Sequence, residues 1–258
     1  MPNSDSIVNV QLFTQDAQSY YDDLAEEQAL SLIVHGEPYA IFMRTPGDDP
    51  ALIYGFLYTE KIIEESEDIE SLVPCLNSPK DRIHLTLASG IRVPQVKRRS
   101  FMSSSCGLCS LEEDQPKDSE PISKLSGLIL NDSELQNLLV QFDQLDTIYS
   151  HTGGAHAAAL FTRSGQLLCV AADIGRHNAV DKVIGKALLN HQEDFTHLIL
   201  MVSSRAGYEI VQKAVHCRLG ALVTLGAASG GAHRLAQSYT LPLYSFLRKH
   251  RVHRHQRN

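Results

Sequence analysis

The chain has 258 residues, of which 43% are hydrophobic and 21% charged, as in ordinary soluble globular proteins. This length allows one large domain or two modest ones. No run of about 18 apolar residues occurs, which argues against a membrane-spanning helix, and the first residues lack the basic start and apolar stretch of a secretion signal. We therefore expect a cytoplasmic protein whose five cysteines are reduced and form no disulfide framework.

The net charge of -7 is unevenly distributed along the chain. Residues 1–70 carry 15 acidic side chains and only two basic ones, Arg44 and Lys61. The last eleven residues, 248–258, contain five Lys or Arg and three His but no acid. The overall acidity argues against bulk nucleic-acid binding. The basic end is as consistent with a solvated tail as with a site for an anionic ligand or an acidic partner.

The sequence pattern of residues 1–102 predicts an N-terminal α+β domain that is mostly β and smaller than the C-terminal domain. Two apolar runs, at 30–34 and 38–43, are separated by a short polar stretch and indicate a β-hairpin. A helix is expected after the next turn, with Asp49 as its N-cap and Pro50 at its first position.

A compositional break follows the remaining strands of this domain. The alternation of polar and apolar residues predicts a half-buried strand at 82–87 and a short strand at 91–93. Serine, acidic residues, proline and glycine then dominate residues 103–127, which offer little to bury. We interpret 103–127 as a flexible loop or linker.

Residues 128–258 alternate short apolar strands with amphipathic helices, which predicts an α/β domain with a sheet between helix layers. The spacing of Asn131 and Glu134 is that of a capping box at the start of a helix. Further strands are predicted at 155–161, 166–172, 198–202, 221–225 and 241–244, and helices at 180–188, at 210–219 with Gly220 as the stop, and near 234–236. Ligands of such sheets bind at the carboxyl ends of the strands, so the loops there are candidates.

Three strand-end loops combine glycine with polar side chains and predict a pocket for a phosphorylated ligand. Glycine lets backbone N–H groups approach a phosphate, helix N-termini favour anions, and arginine is a two-pronged donor. The candidate residues are Thr152, Gly153, Gly154, His156, Asp173, Gly175, Arg176, His177, Asn178, Ser204 and Arg205. Two alternatives stay open: the glycines form only a turn, and Arg176 forms a salt bridge to Asp173 or Asp181.

Cys106 and Cys109 lie between a run of serines and an acidic stretch, which indicates an exposed loop. A zinc site would need a second close cysteine pair, and a thioredoxin-like pair would lie between a strand and a helix. Incidental cysteines are a third interpretation. A mobile nucleophile that carries sulfur between proteins fits the context best. The other cysteines, Cys75, Cys169 and Cys217, are interpreted as structural, and no metal site is predicted.

Four segments resemble the FdhD family, the accessory sulfur carriers of formate dehydrogenase. They are Met43–Asp48, Ser104–Cys109, Thr152–Ala158 and Asp173–Lys182, and the likeness extends from about residue 30 to residue 251. The run from Gly175 to Lys182 is far more specific than the cysteine pair alone.

The resemblance implies a fold and an activity. Residues 128–258 would form a three-layer α/β/α domain similar to cytidine deaminase, although the deaminase zinc signature is absent, so neither zinc nor deamination follows. The activity would be that of a sulfurtransferase, with Cys106 bearing a persulfide and Cys109 assisting it. A cysteine desulfurase would donate the sulfur, and molybdenum cofactor (Mo-bis-molybdopterin guanine dinucleotide) destined for formate dehydrogenase would accept it.

The resemblance also implies a cofactor-binding segment near the C-terminus, whose charge suits pyrophosphate. Its residues are Phe246, Leu247, Arg248, Lys249, His250 and Arg251. A guanine nucleotide such as GDP is expected to mimic the cofactor, and a homodimer is left open. The chain departs from the family pattern at Ser110, Ala172, Ser204 and 227–231, which bears on cofactor affinity.

Two rival functions remain at this point. A non-catalytic chaperone would bind cofactor and apo-enzyme without using the cysteines. A thiol–disulfide oxidoreductase would cycle Cys106 and Cys109 through a disulfide.

Overall fold

A computed structural model describes residues 4–16, 18–75, 81–91, 93, 101–102 and 124–255. Cys106 and Cys109, with residues 103–123 of the predicted loop, lie outside the described residues. Residues 124–127 of that predicted loop are described, and they pack on the C-terminal part of the chain: Leu125 is buried and its N–H donates to the Tyr239 carbonyl at 3.0 Å. No helix in the described ranges is both long and apolar enough to cross a membrane.

The N-terminal part contains two sheets and one long helix. In chain order its elements are β1 (Ile7–Phe13), β2 (Ser19–Ala25), β3 (Gln28–Val34), β4 (Glu37–Arg44), α1 (Asp49–Thr59), β5 (Ile69–Pro74), β6 (Arg82–Leu87) and β7 (Phe101–Met102). β1 and β2 form an antiparallel hairpin of their own, and the other strands form a sheet in the order β5-β6-β3-β4-β7. Alternate residues of β3 and β4, such as Leu32 and Phe42, pack against Leu52 and Phe56 of α1.

The C-terminal part contains one six-stranded mixed sheet with the order β13-β12-β11-β10-β8-β9. Its elements are α2 (Asp132–Asp143), α3 (Ile148–Thr152), β8 (His156–Thr162), β9 (Leu167–Asp173), α4 (Arg176–Leu189), β10 (Leu198–Val202), α5 (Tyr208–His216), β11 (Ala221–Thr224), α6 (Gly230–Ser238), β12 (Leu243–Arg248) and β13 (Arg251–Arg254). β10, β11 and β12 run parallel, whereas β8 pairs antiparallel with both β9 and β10.

Helices cover both faces of the six-stranded sheet. Because side chains alternate along a strand, Ala158 and Leu200 face the core shared with α4, α5 and α6, whereas Phe161 and Met201 face the core shared with α2. This arrangement agrees with the predicted α/β class and helix layers. The likeness to cytidine deaminase stays a prediction, as do the boundaries of the two domains.

Several predicted elements are confirmed and others differ in detail. Asn131 caps α2 and forms the predicted capping box with Glu134. The predicted cap of α1 is wrong: Asp48 precedes that helix, and the carboxylate of Asp49 instead accepts from Arg44 Nε at 2.8 Å. The expected strand at 91–93 is also wrong for both of its described residues, Ile91 and Val93, which lie outside the strands.

Other differences concern the end of one helix and three elements that the sequence did not predict. α5 ends at His216 rather than at Gly220, because the chain turns at Arg218 with φ 55. The hairpin of β1 and β2, the short helix α3 and the strand β13 had no clear sequence signal. The β1–β2 hairpin is acidic and largely exposed, so its apolar alternation is weak.

The two parts of the chain meet where α1 crosses α4. A Cβ added at Gly55 would overlap the Asp181 carbonyl group, and one added at Gly185 would overlap that of Ala51. Glycine at both positions therefore brings the two helix backbones into direct contact. Tyr54 and Tyr58 of α1 pack against the cores of both parts.

Gly55→Ala and Gly185→Ala are each expected to lower the free energy of unfolding by about 3 kcal/mol or more, because the added methyl group has only backbone to displace. Urea denaturation measures this change. Gly154→Ala is the matched control, since the nearest atom to its added Cβ lies 3.8 Å away. Equal stability of Gly55→Ala and the wild type would contradict the crossing.

Candidate functional site

The strand-end loops singled out in the sequence meet at one edge of the six-stranded sheet. β9 to β12 end at this edge and β8 begins there, since His156 pairs with Asp173 and Val202 pairs with Ala158. We call it the carboxyl edge. Backbone hydrogen bonds connect its loops: Gly226 N–H donates to the Ser204 carbonyl at 3.0 Å, and Phe246 N–H donates to Gly226 at 2.9 Å.

Two arginines at the carboxyl edge carry positive charge that no described carboxylate neutralises through an ion pair. Arg176 opens α4 and is half-buried, and Arg205 follows β10 and is exposed. Neither forms an ion pair with any residue that the structure describes. Both act on His156: burial lowers the pKa of this histidine, and the charges of Arg176 and Arg205 lower it further, against the opposing effect of Asp173. An anion at this position would meet two free guanidinium groups beside a neutral imidazole.

His177 is the second neutral histidine of the site. Its Nε2 lies 2.9 Å from Glu209 Oε2. Burial, followed by the charges of Arg176 and Lys213, lowers the pKa of His177 to about 3. At neutral pH its Nε2–H therefore donates to Glu209, which leaves Nδ1 as an acceptor.

Asp173 and Asn178 are held inside the protein rather than at its surface. Asp173 Oδ2 forms an ion pair with Lys182 Nζ at 2.7 Å, and its Oδ1 accepts from Gly175 N–H at 2.8 Å and from Asn178 Nδ2 at 3.0 Å. Asp181 pairs instead with Lys213 at 2.9 Å. The alternative that Arg176 forms a salt bridge to either aspartate is therefore wrong. The polar atoms of Asp173 and Asn178 shape the loop, and their predicted ligand contacts stay predictions.

Thr152, Gly153 and Gly154 form the turn between α3 and β8. Gly153 has φ 63, a left-handed conformation that favours glycine. The Thr152 hydroxyl donates to the Ile148 carbonyl at 2.7 Å and accepts from Gly154 N–H at 3.2 Å. These residues do form a turn, and their predicted ligand contacts stay predictions; a Cβ added at Gly153 would meet open space.

Ser204 is buried behind Arg205. Its hydroxyl lies 3.2 Å from the Arg205 carbonyl, to which it donates. A Cβ at Gly226 would crowd the backbone of Arg205, so a close backbone approach fixes the position of this loop.

The basic segment predicted to bind cofactor forms the end of β12 and the turn into β13. Phe246 has φ 57, and its ring centre lies 4.9 Å from the Arg248 guanidinium and 4.8 Å from that of Arg251. Lys249 and His250 occupy the exposed turn. The side chain of Leu247 is fully buried in the core, and its predicted contact with the cofactor stays a prediction. The ring holds two cations side by side, which suits a polyanion.

The buried ion pairs behind the carboxyl edge were missed by sequence reasoning. Lys213 Nζ lies 2.7 Å from Glu60 Oε1 and 2.9 Å from Asp181 Oδ1. Burial lowers the pKa of Lys213, but these two carboxylates outweigh it and raise the pKa above its usual value. The pair Lys213 and Asp181 is 32 positions apart, so no local pattern indicates it.

Cys169 and Cys217 agree with a structural role, and the same interpretation of Cys75 stays a prediction. Burial raises the pKa of Cys169 to about 11 and that of Cys217 to about 12. Cys75 is half-buried. Thiols with such pKa values are poor nucleophiles at neutral pH.

Acidic side chains approach one another at one further place in the described ranges. Glu65, Glu67 and Glu193 bring carboxylate oxygens within 4.8 Å, and all three side chains are exposed. Exposed acids of this kind are common without an ion, so the absence of a functional metal stays a prediction.

Comparisons with known proteins match most of the chain. The model of the FdhD/NarQ family matches residues 25–257. Sulfur carrier protein FdhD of Streptomyces coelicolor is 38% identical over 238 residues, which cover 88% of this chain and 84% of that protein. The protein of the same name from Sulfolobus acidocaldarius is 35% identical over 237 residues, with 88% and 86% covered.

A solved structure shares the fold. The crystal structure of a formate dehydrogenase accessory protein from Desulfotalea psychrophila matches with a TM-score of 0.72 and 18% identity, over 96% of this chain and 95% of that one. At this identity the likeness concerns the fold alone.

His177 should make stability depend on pH. Its pKa is about 3 in the folded protein against 6.5 for an ordinary histidine, so the unfolded chain takes up the proton first as the pH falls. The native state therefore loses stability between about pH 6.5 and about pH 3. Urea denaturation at pH 7.5 and pH 5 should show a smaller loss in His177→Gln than in the wild type, whereas equal losses would contradict a neutral His177.

Proposed function

This chain belongs to the FdhD/NarQ family, and on that premise we propose that it is a sulfur carrier that serves a formate dehydrogenase. Cysteine persulfide would be its working intermediate, and molybdenum cofactor would be its acceptor. The names of the curated relatives support the sulfur carrier, and the name of the structural neighbour supports the link to formate dehydrogenase. The observation that supports the cofactor as acceptor is the pair of arginines at the carboxyl edge, Arg176 and Arg205, which form no ion pair within the part of the chain that the structure describes.

The sulfur half of the proposal rests on Cys106 and Cys109. The Cys106 thiolate attacks the outer sulfur of a persulfide on a cysteine desulfurase. A new S–S bond forms on Cys106 while the donor S–S bond breaks, and the donor cysteine leaves as a thiolate. If Cys109 then attacks the inner sulfur, hydrosulfide is released and the two cysteines become a disulfide, which a cellular dithiol reduces. On this route the sulfurtransferase needs a dithiol reductant for each turnover.

The acceptor half rests on the carboxyl edge. Molybdenum cofactor with guanine nucleotide groups is a substrate here, and its pyrophosphates are the groups that guanidinium donors recognise. The charges of Arg176 and Arg205 both act on His156, and Arg248 and Arg251 pack against the ring of Phe246, whose N–H donates to the Gly226 carbonyl. Because His156 and His177 are neutral, they can donate or accept hydrogen bonds without adding charge.

We place this chemistry in the cytoplasm, where a dithiol pool keeps thiols reduced. The proposed protein partners are a cysteine desulfurase as donor and the apo-form of formate dehydrogenase as recipient of the sulfurated cofactor. A homodimer stays a prediction.

Removal of either arginine should weaken nucleotide binding. We expect Arg176→Ala and Arg205→Ala each to raise the Kd for GDP about tenfold or more, because each loses a charge-assisted hydrogen bond to phosphate. Isothermal titration calorimetry at two salt concentrations should show a smaller salt dependence in each variant. The matched control is Arg163→Ala, an exposed arginine in the turn after β8, at the opposite end of that strand.

The carrier chemistry has a direct test by intact mass. Incubation with a cysteine desulfurase and cysteine should add one sulfur atom to the wild type, which a reductant removes. Cys106→Ala should gain none while retaining its fold, and it should fail to support formate dehydrogenase activation.

The rival functions give different results in the same experiment. Unchanged activation by Cys106→Ala, with GDP binding retained, would favour a non-catalytic chaperone. A loss of two hydrogens without a gain of sulfur would favour a thiol–disulfide oxidoreductase.

A further inference from the structure

A turn from the N-terminal part is inserted at the start of α4. Thr45 N–H donates to Asp173 Oδ2 at 3.1 Å, and the Thr45 hydroxyl oxygen accepts from Ile174 N–H at 3.0 Å. The Thr45 carbonyl accepts from Lys182 Nζ at 2.7 Å. Every polar group of this threonine therefore binds the 173–182 segment.

Neighbouring contacts extend the attachment in both directions. Asn178 Nδ2 donates to the Met43 carbonyl at 2.8 Å, one turn into α4. On the other side of the turn, Arg44 is buried and binds both carboxylate oxygens of Asp49, at 2.8 and 3.0 Å. Contacts within the N-terminal part therefore also fix the turn, in addition to its contacts with α4.

The chain held in this way leads directly into Arg176 and His177. Ile174 N–H is bound by Thr45, and the next N–H, of Gly175, is bound by Asp173. Two consecutive backbone groups before Arg176 are thus fixed, and neither faces a ligand. The direction in which α4 presents Arg176 depends on them.

We propose that Thr45 is a positioning residue for the anion site at the carboxyl edge. It touches no ligand; it sets the orientation of the α4 N-terminus and hence the placement of Arg176. The identity of the ligand rests on the proposed function, whereas the positioning role does not.

Of the three Thr45 contacts, only the one made by the side-chain hydroxyl can be removed by a substitution. Thr45→Val keeps the shape but removes the acceptor, so Ile174 N–H is left without a partner in a partly buried position. Thr45→Ser keeps the acceptor. The backbone bonds to Asp173 and Lys182 are retained in both variants.

Thr59 offers a matched control for loss of stability alone. Thr45 and Thr59 are each 1% exposed, and the Thr59 hydroxyl also binds the C-terminal part, donating to Asp181 Oδ1 of α4 at 2.8 Å and accepting from Lys213 Nζ at 2.8 Å. Thr59→Val therefore removes a buried hydroxyl from the same interface without touching the segment before Arg176.

Two measurements on the full-length protein decide the question. Calorimetry with GDP should give a Kd about tenfold higher for Thr45→Val, whereas Thr45→Ser and Thr59→Val should stay within about twofold of the wild type. Amide hydrogen exchange over residues 174–178 should be faster in Thr45→Val than in the other variants. Each protein is measured at the same number of degrees below its own Tm, so that differences in global stability do not affect the comparison.

The outcomes separate this inference from the proposed function. If Thr45→Val and Thr59→Val change GDP affinity or exchange over 174–178 equally, the positioning role is overturned and Thr45 is only structural. If wild-type protein does not bind GDP, the proposed ligand fails, and the exchange measurement still decides the role of Thr45. Exchange over 174–178 that is as fast in Thr45→Ser as in Thr45→Val would also overturn the positioning role of Thr45.

Discussion

The backbone contact between α1 and α4 is the constraint on which the rest of the structure depends. Gly55 and Gly185 let the two helices approach until no side chain fits between them. Because α4 also packs on β8 and β9, this crossing joins the N-terminal sheet to the six-stranded sheet. The position of the Thr45 turn against the start of α4 follows from it.

The same helix organises the buried charges. Asp173 and Lys182 pair at one place, and Asp181 shares Lys213 with Glu60 at another. Loss of one partner of a buried pair costs about 3–5 kcal/mol, since the other charge stays desolvated. These buried acidic and basic side chains stabilise the contact between the two parts of the chain. Arg176 and Arg205 form no ion pair with any residue in the described ranges, so their charges can recruit an anion from solution.

Sequence reasoning predicted which loops meet at one edge of the sheet because each signal is local to a strand and the loop that follows it. Glycine and polar residues after predicted strands mark the carboxyl ends of a sheet, and the register then brings these loops to one edge. Helix faces such as Leu135 and Phe142 were recognised in the same way, from apolar spacing within one element, and both residues are buried.

What was missed depends on distance along the chain. Thr45 lies within a motif that the resemblance singled out, but its partner Asp173 is 128 positions away, and no periodicity reveals that contact. The same holds for Lys213 and Asp181. Asp49 was misjudged as a cap because its competing partner, Arg44, comes from the preceding strand. Leu247 shares a basic segment with surface residues, but its side chain points into the core.

The long reach of the Thr45 contacts has a consequence during synthesis on the ribosome. The turn is made 128 residues before Asp173, so α1 must wait for α4 with the apolar side that carries Tyr54 and Tyr58 uncovered. Protein chains emerge at about 5–20 residues per second, so this exposure lasts many seconds in every copy. During that interval the exposed apolar side can associate with other nascent chains, so aggregation competes with completion of the fold.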